Sequence, residues 1–326
     1  MASEQYAVAA DIGGTNARFC RVELNSLTID QIQILPCANY QGIEDAWIHY
    51  LNCCKVEDIK QAAIAIACPV SSDTISMTNS HWQFSANSVK QKLGLNHLYI
   101  LNDFTATAMS LTVLQSLHKL QIGGGYSEPH QNMLVLGAGT GLGVAQLIRG
   151  SQGYLPVAGE GGHADWPVQT EQEWFIYQYL SRKYGHVSCE RVLSGGGLED
   201  LYQALAMFQD QAIKFRSAAE IAQLALTSAC PLAVRAVNQF FASLGSFAGN
   251  LALTANSLGG VYLAGGIVPR LLPLLSGSEF RERFENKGRF TGFNQKIATY
   301  VITAEQPGLL GAAAYLKQRI SENGVF

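Results

Sequence analysis

Asp11-Ile12-Gly13-Gly14-Thr15-Asn16 decides the fold, because Gly137-Ala138-Gly139-Thr140-Gly141-Leu142-Gly143 repeats its pattern later in the chain. Each stretch follows one apolar run and precedes another, which predicts a strand, a tight turn and a second strand, twice. Glycine permits a positive φ and lets backbone N–H groups approach a ligand without a Cβ in the way. We therefore expect the two turns to face each other across a cleft and to hold a polyphosphate.

Composition places the chain among globular proteins of two modest domains. It has 326 residues, of which 48% are hydrophobic and 14% charged, so it can bury a large core. The net charge is −3 and the Lys and Arg residues are scattered, so no basic surface is available to attract nucleic acid. We expect no nucleic-acid partner.

The cysteines and the apolar stretches indicate a protein of the cytoplasm. Seven cysteines occur without a Cys-x-x-Cys or Cys/His zinc pattern, as expected for reduced thiols. The first residues lack the basic flank of a signal peptide. No charge occurs between Arg235 and Arg270, but polar residues, glycines and Pro269 divide this stretch into a buried helix, a turn and a strand, so we expect no membrane contact.

The order of apolar segments predicts two α/β units. Strands are expected near residues 6–24, 29–35, 62–67 and 97–101, with a helix after the last of these. A second unit is expected from about Leu114, with a hairpin that starts at Met133, four helices between residues 171 and 256, and strands at 261–264 and 298–303. A final helix is expected over 309–319. Strand pairs with intervening helices in each half suggest related topologies.

Two common nucleotide motifs are excluded. The chain contains no Gly-x-x-x-x-Gly-Lys-Ser/Thr, so it is not a P-loop protein. Gly159-x-Gly161-x-x-Ala164 has the spacing of the dinucleotide fingerprint, but Asp165-Trp166-Pro167 follows where that motif requires a helix.

Several polar residues stand where chemistry is expected. Asp11, at a strand end, would face phosphates and suit the hydration shell of Mg²⁺, while Thr15 and Thr140 can donate their hydroxyls to phosphate oxygens. Asn102-Asp103 lies where a strand gives way to a helix, and Asp103 either caps that helix or accepts a proton from a substrate hydroxyl.

Three further segments allow more than one interpretation. Glu160 and His163 lie in a glycine-rich loop without apolar neighbours, which favours ligand contact over a surface histidine. Glu190 by itself is only a carboxylate on a helix face. Gly265-Gly266 either accommodates a nucleoside against the backbone or joins a strand to a helix.

These segments, in this order, resemble the bacterial glucokinases of the hexokinase–actin superfamily. The resemblance covers nearly the whole chain and includes both glycine turns, the Asn102 and His163 segments and the following pieces: Ala65-Ile66-Ala67-Cys68-Pro69, Met77-Thr78-Asn79 with Trp82, Glu190-Arg191-Val192-Leu193-Ser194-Gly195, Ala264-Gly265-Gly266-Ile267-Val268-Pro269-Arg270 and Pro307-Gly308-Leu309-Leu310-Gly311. One piece alone would be weak evidence, whereas the ordered set is specific.

The resemblance implies a fold and a reaction. The fold would be α/β, ribonuclease H-like and of the actin/hexokinase type, with residues 1–113 and 304–326 in a smaller domain, 114–303 in a larger one, and an interdomain active-site cleft. The reaction would be transfer of the γ-phosphoryl group of ATP to the 6-hydroxyl of D-glucose, with Asp103 as general base.

It also implies site residues and partners. The residues expected to hydrogen-bond the sugar are Asn79, Asn102, Asp103, Glu160, His163 and Glu190. Those expected at the nucleotide are Ala10, Asp11, Ile12, Gly13, Gly14, Thr15, Gly137, Gly139, Thr140, Gly141, Gly265 and Gly266. We expect ATP as the phosphoryl donor, a Mg²⁺ ion that Asp11 contacts through water, and a homodimer. A related family has a cysteine-rich zinc loop between the equivalents of His163 and Glu190; only Cys189 stands there, so we expect no zinc.

Three other functions are weighed against this one. A kinase for another hexose or an N-acylhexosamine would keep the same motifs. A sugar-binding regulator would be expected to have a helix-turn-helix extension, and here the first strand begins at about Tyr6. An actin-like or chaperone ATPase would leave the polar set from Asn79 to Glu190 without a purpose.

Overall fold

The computed structural model describes residues 6–77, 80–212 and 214–322. The chain divides into two compact units, one of Met1–Gln115, Arg149–Ala158 and Ala304–Phe326, and one of Ser116–Ile148 and Gly159–Thr303. The domain boundaries expected from the sequence, 1–113 with 304–326 and 114–303, stay a prediction.

Strands and helices alternate along most of the chain. The elements up to residue 110 are β1 (Tyr6–Ile12), β2 (Asn16–Glu23), β3 (Thr28–Pro36), α1 (Ile43–Cys54), β4 (Gln61–Ile66), β5 (Thr74–Ser76), β6 (Gln83–Ser85), α2 (Ala86–Lys92), β7 (His97–Asn102) and α3 (Asp103–Ser110). Those that follow are β8 (Lys119–Ile122), β9 (Met133–Ala138), β10 (Leu142–Gly150), β11 (Gly153–Gly159), α4 (Glu171–Tyr184), α5 (Gly195–Phe208), α6 (Ala218–Leu226), α7 (Pro231–Ala255), β12 (Val261–Ala264), α8 (Ile267–Arg270), α9 (Leu272–Leu275), α10 (Phe280–Glu285), α11 (Thr291–Lys296), β13 (Thr299–Ile302) and α12 (Pro307–Glu322).

The first unit is a sheet with helices on both faces. Its strands have the order β3-β2-β1-β4-β7, antiparallel from β3 to β1 and parallel from β1 to β7. Successive residues of a strand point to opposite faces, so Ala7 and Ala9 enter one apolar core while Val8 and Ala10 enter another. Residues of α1 and α2 complete the core around Val8, and α3 and α12 complete the core around Ala7.

The second unit repeats this topology. Its strands β10-β9-β12-β13 follow the order and the directions of β2-β1-β4-β7, and β8 adds an antiparallel strand beside β13. The related topologies expected from the two hairpins are therefore present. In both units, turns that follow the ends of the parallel strands lie at one edge of the sheet, where open α/β sheets place their ligands.

The stretch between Arg235 and Arg270, which contains no charged residue, forms the structure expected from its sequence. It comprises most of α7, a turn and β12, and α7 is buried over much of its length in the core of the second unit. Within the described part of the chain, no helix is both long and apolar enough to cross a bilayer.

Candidate active site

The first glycine turn joins β1 to β2 and is held by backbone hydrogen bonds. The N–H of Gly13 donates to the carbonyl of Asn16 over 3.0 Å, which closes the turn. The N–H of Cys37, just after β3, donates to the carbonyl of Thr15 over 2.8 Å. Thr15 itself is exposed, so its hydroxyl is available to a ligand.

The glycines of the two turns do not use the positive φ that glycine permits. None of Gly13, Gly14, Gly139 and Gly141 has a left-handed backbone. Two of these glycines instead border open space. A Cβ on Gly13 would meet only the Asn16 carbonyl, at 3.7 Å, and one on Gly139 would meet no atom within 4 Å. The surface of each turn is therefore open to a ligand that contacts the backbone.

Asp11 lies near the end of β1 with 23% of its side chain exposed. Arg18 pairs with it across the hairpin, and its guanidinium lies 3.8 Å from the Asp11 carboxylate. Burial raises the pKa of Asp11 to about 6, Arg18 lowers this pKa, and the Asp103 carboxylate raises it. A partly buried carboxylate beside a second one is stabilised in its charged form by a cation, so this position fits a hydrated Mg²⁺.

Asn102 and Asp103 form the junction between β7 and α3. The side-chain oxygen of Asn102 accepts from the N–H groups of Phe104 (3.0 Å) and Thr105 (3.3 Å), so Asn102 is the N-cap. Asp103 is the first helical residue, and its Oδ1 accepts from Phe104 N over 2.9 Å. The interpretation of Asp103 as the helix cap is therefore wrong, because its neighbour has that role.

The second glycine turn joins β9 to β10 and is held partly by a side chain. The N–H of Gly139 donates to the carbonyl of Gly141 (2.8 Å), and the N–H of Gly195, at the start of α5, donates to the carbonyl of Gly139 (2.9 Å). The N–H of Leu142 donates to Oε2 of Glu190 over 2.9 Å. Thr140, at the tip of the turn, is exposed.

Gly265 lies beside this second turn. The pairing of β12 with β9 sets Ala264 opposite Gly137, so the residue after β12 reaches Ala138. Gly265 has a φ of +82°, and a Cβ built on it would lie 2.3 Å from the Ala138 carbonyl oxygen. Gly265 and Gly266 are both exposed, which leaves their backbone accessible.

The segments of Glu160, His163 and Glu190 adjoin each other in the second unit. A short 3-10 turn, Gly161–His163, leaves the side chains of Glu160 and His163 exposed. The N–H of Cys189 donates to the carbonyl of Ala164 over 2.8 Å, which ties the two segments together. The structure thus places three of the residues expected at the sugar in two neighbouring segments. Asn79, also expected there, lies outside the described residues.

Two contacts of the candidate site were not predicted from the sequence. Arg18 faces Asp11 across the hairpin, and counting outward from the turn would have found this pair. The bond between Leu142 and Glu190 joins residues 48 apart and has no signal in either segment.

No cluster of three His, Cys, Asp or Glu side chains that could hold a metal ion occurs in the described ranges. Mg²⁺ commonly uses one or two protein carboxylates and retains several waters, so a single Asp11 suffices for the site considered above. The expected lack of zinc stays a prediction.

Comparisons with known proteins give the family. A family model for glucokinase matches residues 8–319. The glucokinase of Photorhabdus laumondii is 44% identical over 97% of this chain and 98% of that protein. A crystal structure of a glucokinase from an Antarctic psychrotroph has a TM-score of 0.90 at 35% identity, over 95% of this chain and 98% of the other. A ROK family glucokinase from Streptomyces griseus, in complex with glucose and AMPPNP, has a TM-score of 0.64 at 19% identity, over 96% of this chain and all of the other.

The fold defines the class first: this is a two-domain α/β protein of the ribonuclease H-like, actin/hexokinase type, as predicted. Within that class, the chain belongs to the glucokinase family, and the family inferred from the sequence is confirmed.

Proposed function

We propose that this chain transfers the γ-phosphoryl group of ATP to the 6-hydroxyl of D-glucose, giving glucose 6-phosphate and ADP. Membership of the glucokinase family supports the predicted class of enzyme, an ATP-dependent hexose kinase. The observation that supports this reaction most is the position of the Asp103 carboxylate. Asp103 is the first residue of α3, directly after the strand β7, and its carboxylate interacts with that of Asp11.

Asp103 is proposed as the general base. It accepts the proton of the 6-hydroxyl as the oxygen of that hydroxyl bonds to the γ-phosphorus and the bond from phosphorus to the β–γ bridging oxygen breaks. The transition state of phosphoryl transfer is loose, so orientation of the hydroxyl matters more than the strength of the base. The bond from Phe104 N to Asp103 Oδ1 suits this role because it fixes the carboxylate.

The nucleotide is proposed to bind at both glycine turns. The N–H groups of Gly13 and Gly139 already close the two turns, so those of Gly14 and Gly141 would donate to phosphate oxygens. The hydroxyls of Thr15 and Thr140 would join them. The open surface at Gly13 and Gly139 supports this, because neither position has a neighbour that a phosphate would displace. Gly265 and Gly266 would lie against the nucleoside, and Asp11 would hold Mg²⁺ through water. A bound Mg²⁺ neutralises charge that develops on the phosphates.

The sugar is proposed to be held by Asn79, Asn102, Asp103, Glu160, His163 and Glu190. The Asn102 oxygen is already used by the helix cap, and its Nδ2 donates one hydrogen to the Cys68 carbonyl over 3.4 Å, so the second hydrogen of Nδ2 is the one left for the sugar. A substrate that lacks a hydroxyl would leave unpaired a polar group that the bound sugar covers, at a cost of about 1–3 kcal/mol for each group. This would give discrimination among hexoses.

A cytoplasmic location and a homodimer complete the proposal. The family resemblance supports both. The cysteines, all seven of which are free thiols, are in the state expected in the reducing cytoplasm.

A panel of sugars tests the substrate. Purified protein with ATP and Mg²⁺ would be given glucose, other hexoses and N-acylhexosamines in a coupled assay of ADP release, with a blank that lacks sugar. We expect the highest kcat/KM for glucose. A higher value for another sugar would replace the proposed substrate, and equal ADP release without any sugar would favour an ATPase.

A further inference from the structure

Glu190 contacts the second glycine turn directly, although the sequence predicts for it only a contact with the sugar. Its Oε2 accepts a hydrogen bond from the N–H of Leu142, over 2.9 Å. Leu142 is the first residue of β10, so this bond fixes the point at which the turn ends. A hydrogen bond from a backbone N–H to a charged acceptor is stronger than one between two neutral groups.

The carboxylate also explains why residue 141 is glycine. A Cβ on Gly141 would lie 2.6 Å from Glu190 Oε2, closer than such atoms approach. The backbone of Gly141 has no positive φ that would otherwise require glycine. The lack of a side chain at 141 thus makes room for the carboxylate of Glu190.

Both neighbours of Glu190 are anchored in the second unit. Cys189 is buried, and its N–H donates to the Ala164 carbonyl over 2.8 Å. On the other side, the Arg191 guanidinium lies over the Tyr184 ring, 4.0 Å from its centre. Glu190 is therefore presented to the turn by a fixed backbone.

One oxygen of Glu190 remains for another partner. Among the residues that the structure describes, none donates a hydrogen bond to Oε1. A carboxylate has acceptor sites on both oxygens, so it can hold the turn and bind a hydroxyl at the same time.

We propose that Glu190 is a positioning residue for the nucleotide as well as a ligand of the sugar. Oε2 holds the turn at Gly139–Leu142 in the shape that binds phosphate, while Oε1 receives a sugar hydroxyl. This rests on the proposed function, in which the nucleotide binds at that turn. Affinity for the nucleotide then depends on Glu190 even when no sugar is present.

Nucleotide affinity without sugar tests this dependence. AMPPNP with Mg²⁺ would be titrated by calorimetry into the wild type, Glu190→Ala and Glu190→Gln. We expect Glu190→Ala to bind roughly 10- to 150-fold more weakly, the loss expected for one hydrogen bond to a charged group. Glu190→Gln should lose less, roughly 3- to 10-fold, because its neutral amide oxygen still accepts from Leu142 N but more weakly than a carboxylate does.

Glu199 offers a matched control. Glu199 is also half-buried, and its Oε1 accepts from the backbone N–H of Ala218, also over 2.9 Å. This bond holds the first residue of α6, and the Glu199 side chain does not contact the turn. Glu199→Ala should leave the affinity for AMPPNP within about twofold of the wild type. If Glu190→Ala does not fold, Glu190→Asp tests the same bond, because its shorter side chain withdraws the carboxylate from Leu142 N; we expect weaker AMPPNP binding there too.

Two results would overturn the proposal: unchanged AMPPNP affinity in Glu190→Ala with a raised KM for glucose, or equal losses in Glu190→Ala and Glu190→Gln. Failure of the proposed function is seen separately, since wild-type protein would then bind AMPPNP and leave glucose unphosphorylated.

Discussion

The two glycine turns have the same local pattern but different support. Asp11 stands at the end of β1, inside the first motif, and backbone bonds hold the turn beside it. The second motif contains no charged residue from Met133 to Gly143, and a carboxylate from a distant segment, Glu190, holds its turn. The carboxylate of the first motif therefore faces Arg18 across the hairpin and does not bond to the turn, whereas the second turn is held partly by a carboxylate.

This difference shows what a repeated motif does and does not determine. The strand–turn–strand pattern fixes the path of the backbone in both units, because it depends on apolar runs and on glycine. The contacts that support each turn come from other segments of its own unit, and they differ between the two units. Substitutions at the two turns should therefore have different effects on the free energy of unfolding.

The largest effect on stability is expected at the second turn. Gly265→Ala would force a positive φ on alanine and bring its Cβ against the Ala138 carbonyl, a backbone atom that cannot move cheaply. We expect a loss of about 3 kcal/mol or more in the free energy of unfolding, measured by denaturant titration. Gly266→Ala is the matched control, because a Cβ there meets nothing within 4 Å and φ is −87°. Equal stability of the two variants would contradict the close approach of Gly265 to Ala138.

A smaller effect, of opposite sign, is expected at the first turn. The pKa of Asp11 is raised from 3.8 to about 6, so the folded protein retains a proton that the unfolded chain releases. Asp11 therefore destabilises the fold increasingly as the pH rises from about 4 to 6. Asp11→Asn should be more stable than the wild type by up to about 3 kcal/mol at pH 7.5 and by less at pH 4.5.

Thermal unfolding of both proteins without ligand, at the two pH values, measures this difference. The same variant should phosphorylate glucose about tenfold more slowly or worse, which corresponds to at least about 1.4 kcal/mol of lost transition-state stabilisation. A stability difference that does not change with pH would show that the Asp11 charge is not penalised in the fold.

The sequence predicted most of the fold because its signals were local. Both hairpins, the buried strand β4 and the long helices α4 and α7 follow from apolar runs of sufficient length. The short strands β5, β6 and β8 were not predicted, since polar residues interrupt them, whereas the equally short β12 and β13 contain apolar runs. The junction at Asn102 was placed correctly, but a choice between Asn102 and Asp103 as the cap required coordinates.

The supporting contacts of the site could not be predicted in the same way. The bond from Leu142 to Glu190 and the contact of Gly265 with Ala138 depend on how distant segments pack. The open backbone at Gly139 likewise became visible only once its neighbours were placed. The sequence thus predicted candidate residues of the site, and the structure showed that one of them, Glu190, also holds a turn.

The role of Asp103 is the central claim, and Asp103→Asn tests it most directly. Asparagine keeps an oxygen that can accept from Phe104 N, so the start of α3 should remain intact while the base is lost. We expect kcat to fall by about 100-fold or more, the range for loss of a general base, with the Kd for glucose within about threefold of the wild type. Near-normal turnover of glucose by Asp103→Asn would contradict the account.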